Sequence, residues 1–274
     1  MEELKFLKEN NLKIPDVYLK CDEMVKATKL LKESTKNRVC YLPLCDTMCA
    51  QSLGANILID ELSTPRVKSY KYNDIEELLN LQKVYLDEVE ANEVLKAIKK
   101  LSSENEDVIL SIEGPITILS SLIDLTNIVK ALKNRKNDLY KILEYVKDFI
   151  VEYAVKGVES GAKIISYADP TGNMDILGKR TFCNLSSDIT IEIFKELQQK
   201  INGKASIHIC GRTTTSLLNL GLMEIEELNF NNNMTYADVL LKEGICKGRM
   251  FGQNCIKNTN KSVFNEKIYT VRIL

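Results

Sequence analysis

The sequence has almost no net charge, no long apolar run and no linker-like stretch, and each shortage excludes something. Its 274 residues carry 37 Lys and Arg against 38 Asp and Glu, a formal charge of -1. That balance leaves no reservoir of positive charge to neutralise phosphates along a nucleic acid, so nucleic-acid binding is not expected. No apolar stretch approaches the roughly 18 residues needed to span a bilayer, and the opening Met1-Glu-Glu-Leu-Lys lacks the apolar core of a signal peptide. A cytoplasmic protein with no membrane partner is the expectation. No Pro, Gly or Ser-rich segment divides the chain and no internal repeat occurs, so one domain over residues 1–274 is the simplest arrangement.

What the chain does have is cysteine: eight, at positions 21, 40, 45, 49, 183, 210, 246 and 255. A disulfide scaffold suits small secreted chains, and this chain is neither small nor visibly secreted. Free cysteine commonly packs as a small buried hydrophobe, so only some of the eight are expected to carry thiol or metal chemistry.

Short apolar runs alternate with longer segments of helical period. The runs are 39–44, 108–112, 163–168, 205–210, 227–230, 248–251 and 268–273. Between them, residues 141–160 place Ile142, Val146, Phe149, Ile150 and Tyr153 on one helical face, and Gly161 stands where a left-handed C-cap is expected. A second helix is predicted after Ser186 or Ser187, carrying Ile189, Ile191, Phe194, Leu197 and Ile201. Asn73 with Glu76 has the spacing of a capping box. Strand, helix, strand repeated without a GxGxxG turn favours an α/β barrel of the (β/α)8 type over an open nucleotide-binding sheet.

In such a barrel, chemistry gathers at the carboxyl ends of the strands. The runs end in Cys45-Asp46-Thr47, Glu113-Gly-Pro115, Asp169-Pro-Thr171, His208-Ile-Cys210-Gly211, Asn231-Asn-Asn233 and Gly252-Gln-Asn-Cys255. His208, the one histidine, alternates with Cys210 on an extended strand end, so both side chains leave the same face. Imidazole and thiolate select zinc, at about 2.0 to 2.3 Å. A buried histidine beside a buried cysteine is the alternative, because zinc needs at least a third donor. Cys255 is the leading third ligand, past another strand end; Cys246, Cys45, Cys49 and Cys183 are the others, with Cys45 and Cys49 in Cx3C spacing.

These residues resemble the uroporphyrinogen decarboxylase superfamily and, within it, the methylcobamide:coenzyme M methyltransferase branch. Tyr41-Leu-Pro-Leu-Cys-Asp-Thr-Met-Cys-Ala-Gln-Ser-Leu-Gly-Ala55 is similar to the branch's first-strand segment, and Pro65-Arg-Val-Lys-Ser-Tyr70 to the stretch that follows. Glu113-Gly-Pro-Ile-Thr-Ile-Leu119 is similar to the family's Gly-Pro-Phe-Thr-Leu turn. Gly161-Ala-Lys-Ile-Ile-Ser-Tyr-Ala-Asp-Pro-Thr171, with Ile176-Leu-Gly178, resembles its Asp-Pro motif, and His208-Ile-Cys-Gly-Arg-Thr-Thr214 its zinc motif. The resemblance covers residues 22–255.

It implies a barrel enzyme in which zinc, held by His208 and Cys210 with Cys255 as the leading third ligand, binds a small thiol acceptor and passes it a methyl group from methylcobamide carried by a corrinoid protein. Zinc stabilises thiolate over thiol at neutral pH, which suits such a transfer. Asp169 is expected either to orient His208 or the acceptor, or to cap the next helix. Arg212 is expected to pair with an anionic tail of the acceptor, or to be a solvated surface residue. Asn173, Asp175 and Glu113 are further candidates for the site. His208→Ala is expected to remove the metal while leaving the fold intact, because Ile207 and Ile209 hold its strand.

The chain departs from the branch at both ends. The branch's third zinc cysteine lies in a Pro-Gly-Cys-Gly turn after the last strand, whereas here Thr270-Val-Arg-Ile-Leu274 has no such turn, so either Cys255 replaces that ligand or the chain has lost tight zinc binding and, with it, activity. A barrel shortened at both ends is expected. Decarboxylation of uroporphyrinogen is one alternative, but the Arg-Gln-Ala-Gly-Arg-like segment of that branch does not occur before Cys40. The other is a non-catalytic barrel that binds a corrinoid or its carrier protein.

Overall fold

All seven apolar runs become strands of one sheet. The computed structural model describes residues 2–81, 83–230, 233–245, 247–263 and 267–274. The strands are β1 (Cys40–Leu42), β2 (Asn56–Leu58), β3 (Arg66–Ser69), β4 (Val108–Glu113), β5 (Ile164–Ala168), β6 (Ser206–Ile209), β7 (Met223–Asn229), β8 (Met250–Gly252) and β9 (Lys267–Ile273). The helices are α1 (Glu2–Glu9), α2 (Ile14–Leu19), α3 (Cys21–Ser34), α4 (Met48–Ser52), α5 (Ile75–Leu78), α6 (Ala91–Ser103) and α7 (Pro115–Leu122). They continue with α8 (Leu125–Asn134), α9 (Lys136–Glu159), α10 (Met174–Leu185), α11 (Ser187–Ile201), α12 (Gly211–Leu218) and α13 (Tyr236–Val239). The hairpin of β2 and β3 was not legible, because its residues are mostly exposed and show no apolar alternation.

The main sheet runs β1-β4-β5-β6-β8-β9-β7. From β1 to β8 every pair is parallel, as helical crossovers demand. β9 then pairs antiparallel with both β8 and β7. Among the described residues, only the 3-10 turn Ile256–Asn258 separates β8 from β9, so no crossover helix exists to turn β9 parallel. The ladder thus has seven strands instead of eight, and among the described residues β1 and β7 end it without pairing to each other.

Helices cover one face of the sheet, where Leu42, Leu110, Ile112, Ile165, Tyr167, Ile207 and Ile209 join the main core. The predicted helix 141–160 extends to Lys136–Glu159, and Gly161 takes the left-handed φ of 113° that its capping role needs. On α11 the buried face uses Ile193 where the sequence pattern suggested Ile191, which is only partly buried. The capping box expected of Asn73 and Glu76 does not form; the N-cap is Asp74. Asp74 accepts from the Glu76 and Glu77 N–H groups at 2.8 and 3.2 Å, and the Glu77 carboxylate accepts from the Asn73 N–H at 3.1 Å.

The opposite face holds a second core of Val39, Ile109, Ile164, Phe251 and Ile268, closed by Tyr236, Ala237, Val239 and Leu240 from α13 and the π-turn Leu240–Gly244. Strand register lines Ser111, Ser166, His208, Phe251 and Thr270 side by side across it. The π-turn lies so close to β6 that a Cβ on Gly244 would come within 2.0 Å of the Ser206 hydroxyl, so no side chain fits there.

The free edge of β1 is covered by one side chain. The Thr28 hydroxyl, on α3, accepts from the Tyr41 N–H at 2.9 Å and donates to the Tyr41 carbonyl at 3.0 Å. Side-chain bonds bridge the seam beyond it: Asn37 Nδ2 to Thr259 Oγ1 at 2.8 Å, Asn260 Nδ2 to the Thr35 carbonyl at 3.0 Å, and Arg38 to Asp238 at 2.5 Å. A cavity of about 320 Å³ lies in this seam, lined by Thr28, Leu31, Tyr41, Cys45, Ile256 and Thr259 among others. Among the described residues no single helix is long and apolar enough to cross a membrane.

Candidate active site

The carboxylates at the strand ends serve as helix caps. A helix begins with N–H groups that lack intrahelical partners and with the positive end of its dipole, so a buried acid there satisfies both. Glu113, closing β4, accepts from the Cys49 N–H at 3.1 Å and the Ala50 N–H at 3.4 Å at the start of α4. Burial nevertheless pushes its carboxyl up to about 7, with those amide bonds only partly offsetting desolvation.

Asp169, after β5, repeats the arrangement one strand further on. It accepts from the Ile116 N–H at 3.2 Å, the Thr117 N–H at 2.8 Å, the Thr117 hydroxyl at 2.6 Å and the Gly172 N–H at 3.1 Å. Burial raises its carboxyl above the usual range, against the pull of those four donors. Gly172 sits so near that a Cβ on it would fall 2.2 Å from the Asp169 carboxylate. The expectation that Asp169 orients His208 is therefore corrected. It caps a helix, and the helix is α7, which precedes it in the chain.

His208 is buried, with 1% of its surface exposed. Its Nε2 stands 3.1 Å from the Asn254 carbonyl, and its Nδ1 stands 3.1 Å from the Ser166 hydroxyl. A carbonyl oxygen only accepts, so Nε2 carries the hydrogen and Nδ1 accepts from Ser166. The ring is neutral: burial pushes its pKa down to about 4, opposed weakly by the bond to Asn254. The Tyr236 ring meets it edge-on, with centroids 6.0 Å apart.

Cys210 is the N-cap residue of α12 and half-buried, while Cys255 is exposed in the segment after β8. Cys45 and Cys49 are buried, and desolvation pushes the Cys45 thiol up to about 12 and Cys49 well above its ordinary value. Cys183 is exposed on α10. Cys246 lies outside the described residues, as do Asn231 and Asn232. Among the described residues no three His, Cys, Asp or Glu side chains stand close enough together to hold a metal ion. The expected set of His208, Cys210 and Cys255 is thus not assembled, and both nitrogens of its histidine are engaged within the protein. The described residues do not fit a three-ligand zinc.

Asn173 is also a cap and not a free cofactor ligand. Fully buried, it accepts from the Asp175 and Ile176 N–H groups at 2.9 and 3.2 Å and donates to the Pro170 carbonyl at 2.5 Å. Arg212 is exposed on the first turn of α12, and Asp175 is exposed on the first turn of α10. Sequence reasoning missed Ser166 and Tyr236. Ser166 could have been found, since it lies on the strand register that leads to His208. Tyr236 reaches the histidine only through tertiary packing.

Parallel strands wound with helices, with polar residues gathered at the carboxyl ends, define an α/β protein of the barrel type. The chain belongs to the uroporphyrinogen decarboxylase (URO-D) family, whose description matches residues 1–252. Its fold is shared by a solved methyltransferase from Methanosarcina mazei, with a TM-score of 0.67 at 21% identity over 79% of this chain and 64% of that one. Curated relatives include the methylcobamide:CoM methyltransferase MtaA of Methanosarcina barkeri strain Fusaro, 23% identical over 81% of this chain and 66% of that protein. A methylcobamide:CoM methyltransferase MtbA of Methanosarcina mazei is 25% identical over 74% of this chain and 60% of that protein. The chain spans 60% to 66% of the length of these two relatives.

Proposed function

We propose that this chain is a methyl-transfer barrel that takes a methyl group from a methylated corrinoid, free or on a corrinoid protein, and passes it to a small thiol. The observation that carries the reading is the position of His208-Ile-Cys210 at the carboxyl end of β6, in a chain whose relatives bear the name methylcobamide:CoM methyltransferase. The corrinoid supplies the methyl carbon: the acceptor thiol gives up its proton to solvent, its sulfur attacks that carbon, and the carbon–cobalt bond breaks with its electron pair staying on cobalt. Arg212 stands exposed two residues past Cys210, where its guanidinium is free to pair with a sulfonate or carboxylate on the acceptor. No step is assigned to zinc, because the donor set for it is not brought together.

A second reading is favoured by one observation. With both ring nitrogens of His208 bonded inside the protein, the barrel is also suited to bind a corrinoid or its carrier without turnover.

Methylcobalamin and 2-mercaptoethanesulfonate test the two. The expected result is protein-dependent loss of methylcobalamin absorbance with formation of the methylated thiol. Arg212→Ala is expected to lower kcat/KM about tenfold, the worth of one charge-assisted contact of roughly 1.4 kcal/mol. A spectral shift on binding without methylated thiol supports the second reading. Conversion of uroporphyrinogen to coproporphyrinogen, or no interaction with corrinoid at all, overturns both.

A further inference from the structure

We infer that His208 is a structural strut that positions the segment after β8, and that it is not a ligand of a resident zinc ion. The inference stands on geometry and does not depend on methyl transfer. His208 joins three elements through its ring: β5 by way of Ser166, β6 by its own backbone, and the Gln253–Cys255 segment by way of the Asn254 carbonyl. Tyr236 closes the remaining side edge-on.

A metal takes a lone pair. Nε2 has none to give while it donates to Asn254, and Nδ1 directs its lone pair at the Ser166 hydroxyl. Freeing either nitrogen strands a buried partner, the Asn254 carbonyl or the Ser166 hydroxyl, without a hydrogen bond. No second and third donor stand close enough among the described residues to compensate.

The strut has a reason to exist in this fold. The segment it pins passes tightly against the start of α12: a Cβ on Gly211 would lie 2.7 Å from the Gln253 carbonyl oxygen. By fixing Asn254, His208 sets the distance between the segment that carries Cys255 and the turn that carries Cys210. Among the described residues no crossover helix joins β8 to β9, and this side-chain bond adds to the strand pairing at that end of the sheet.

Because His208 is the one histidine in the sequence, its ring resonances in tag-free protein need no assignment. Long-range 1H–15N NMR of the zinc-saturated full chain is expected to give a neutral ring protonated at Nε2, unchanged by a chelator. Elemental analysis is expected to find well under one zinc per chain. A ring protonated at Nδ1, a chelator-sensitive ring spectrum, or one zinc per chain that disappears in Cys210→Ser overturns the inference. Two variants provide a further check. His208→Gln offers an amide N–H and an acceptor oxygen in nearly the same places, so it is expected to keep most of the thermal stability that His208→Ala loses, and to leave the rate at which Cys255 reacts with a thiol reagent unchanged from the unsubstituted protein. Equal loss in both variants, or none in either, overturns the strut.

Discussion

Glu113 illustrates how one buried residue ties pH to stability. Its carboxyl is raised in the folded chain, so folding favours its protonated form. Stability from this group is therefore complete below the unfolded value near 4.5 and is lost as pH rises through about 7. The shift corresponds to about 3 kcal/mol, as an order of magnitude, at about 1.4 kcal/mol per unit. Urea unfolding at pH 4.5 and 7.5 is expected to give unsubstituted protein a steeper loss than Glu113→Gln, which stays neutral throughout. Parallel pH profiles for the two would refute this account. Residue types and spacing marked Glu113 and Asp169 as site candidates, but their occupation as caps was not legible. The helix-start N–H groups they cap, at positions 49, 50, 116 and 117, lie more than fifty residues away in sequence.

At the level of elements, β1 is the informative case. A three-residue strand paired on one side leaves backbone groups exposed on the other, and unpaired edges are a liability. Thr28 supplies both missing partners from α3 with one hydroxyl. Thr28→Val keeps the shape and removes the hydroxyl, so it is expected to cost about 1–3 kcal/mol in chemical denaturation, the penalty for leaving buried groups unsatisfied. Thr28→Ser is expected to recover most of it. A Val variant as stable as the parent would mean that water reaches the edge. The strand itself was legible as the apolar run 39–44, and so were the other six. Its guardian was not, because a threonine inside a helix carries no mark of what its hydroxyl will meet.

For the molecule as a whole, the ladder decides where rigidity lies. β4, β5 and β6 have strand neighbours on both sides, whereas β1 and β7 have one each. The seam between the chain entering β1 and the 256–260 segment is held by the side chains of Asn37 and Asn260, with Arg38 reaching Asp238 on α13 beside it. Hydrogen–deuterium exchange read by mass spectrometry is expected to show strongest protection in β4, β5 and β6, with faster exchange in β1 and in residues 256–260. Protection of β1 equal to that of β5 would indicate that the ladder closes in solution. The same openness bears on His208, whose bond to Asn254 ties the last parallel strand's far end to the middle of the sheet.

From the chain alone came the strands, the long helices and the family likeness, since apolar periodicity and motif order depend on neighbours a few residues apart. The expectation that His208 and Cys210 share a face also came from the chain alone, from the period of an extended strand, but Cys210 lies past the end of β6 as the N-cap residue of α12. Which partner each polar group found was decided only in three dimensions. Asp169 turned to α7, Asn173 to its own helix, and the two nitrogens of His208 to Ser166 and Asn254. Once buried, a polar group must be satisfied by whatever the packing brings within about 3 Å, and that distance is set by the fold and not by the spacing of residues along the chain.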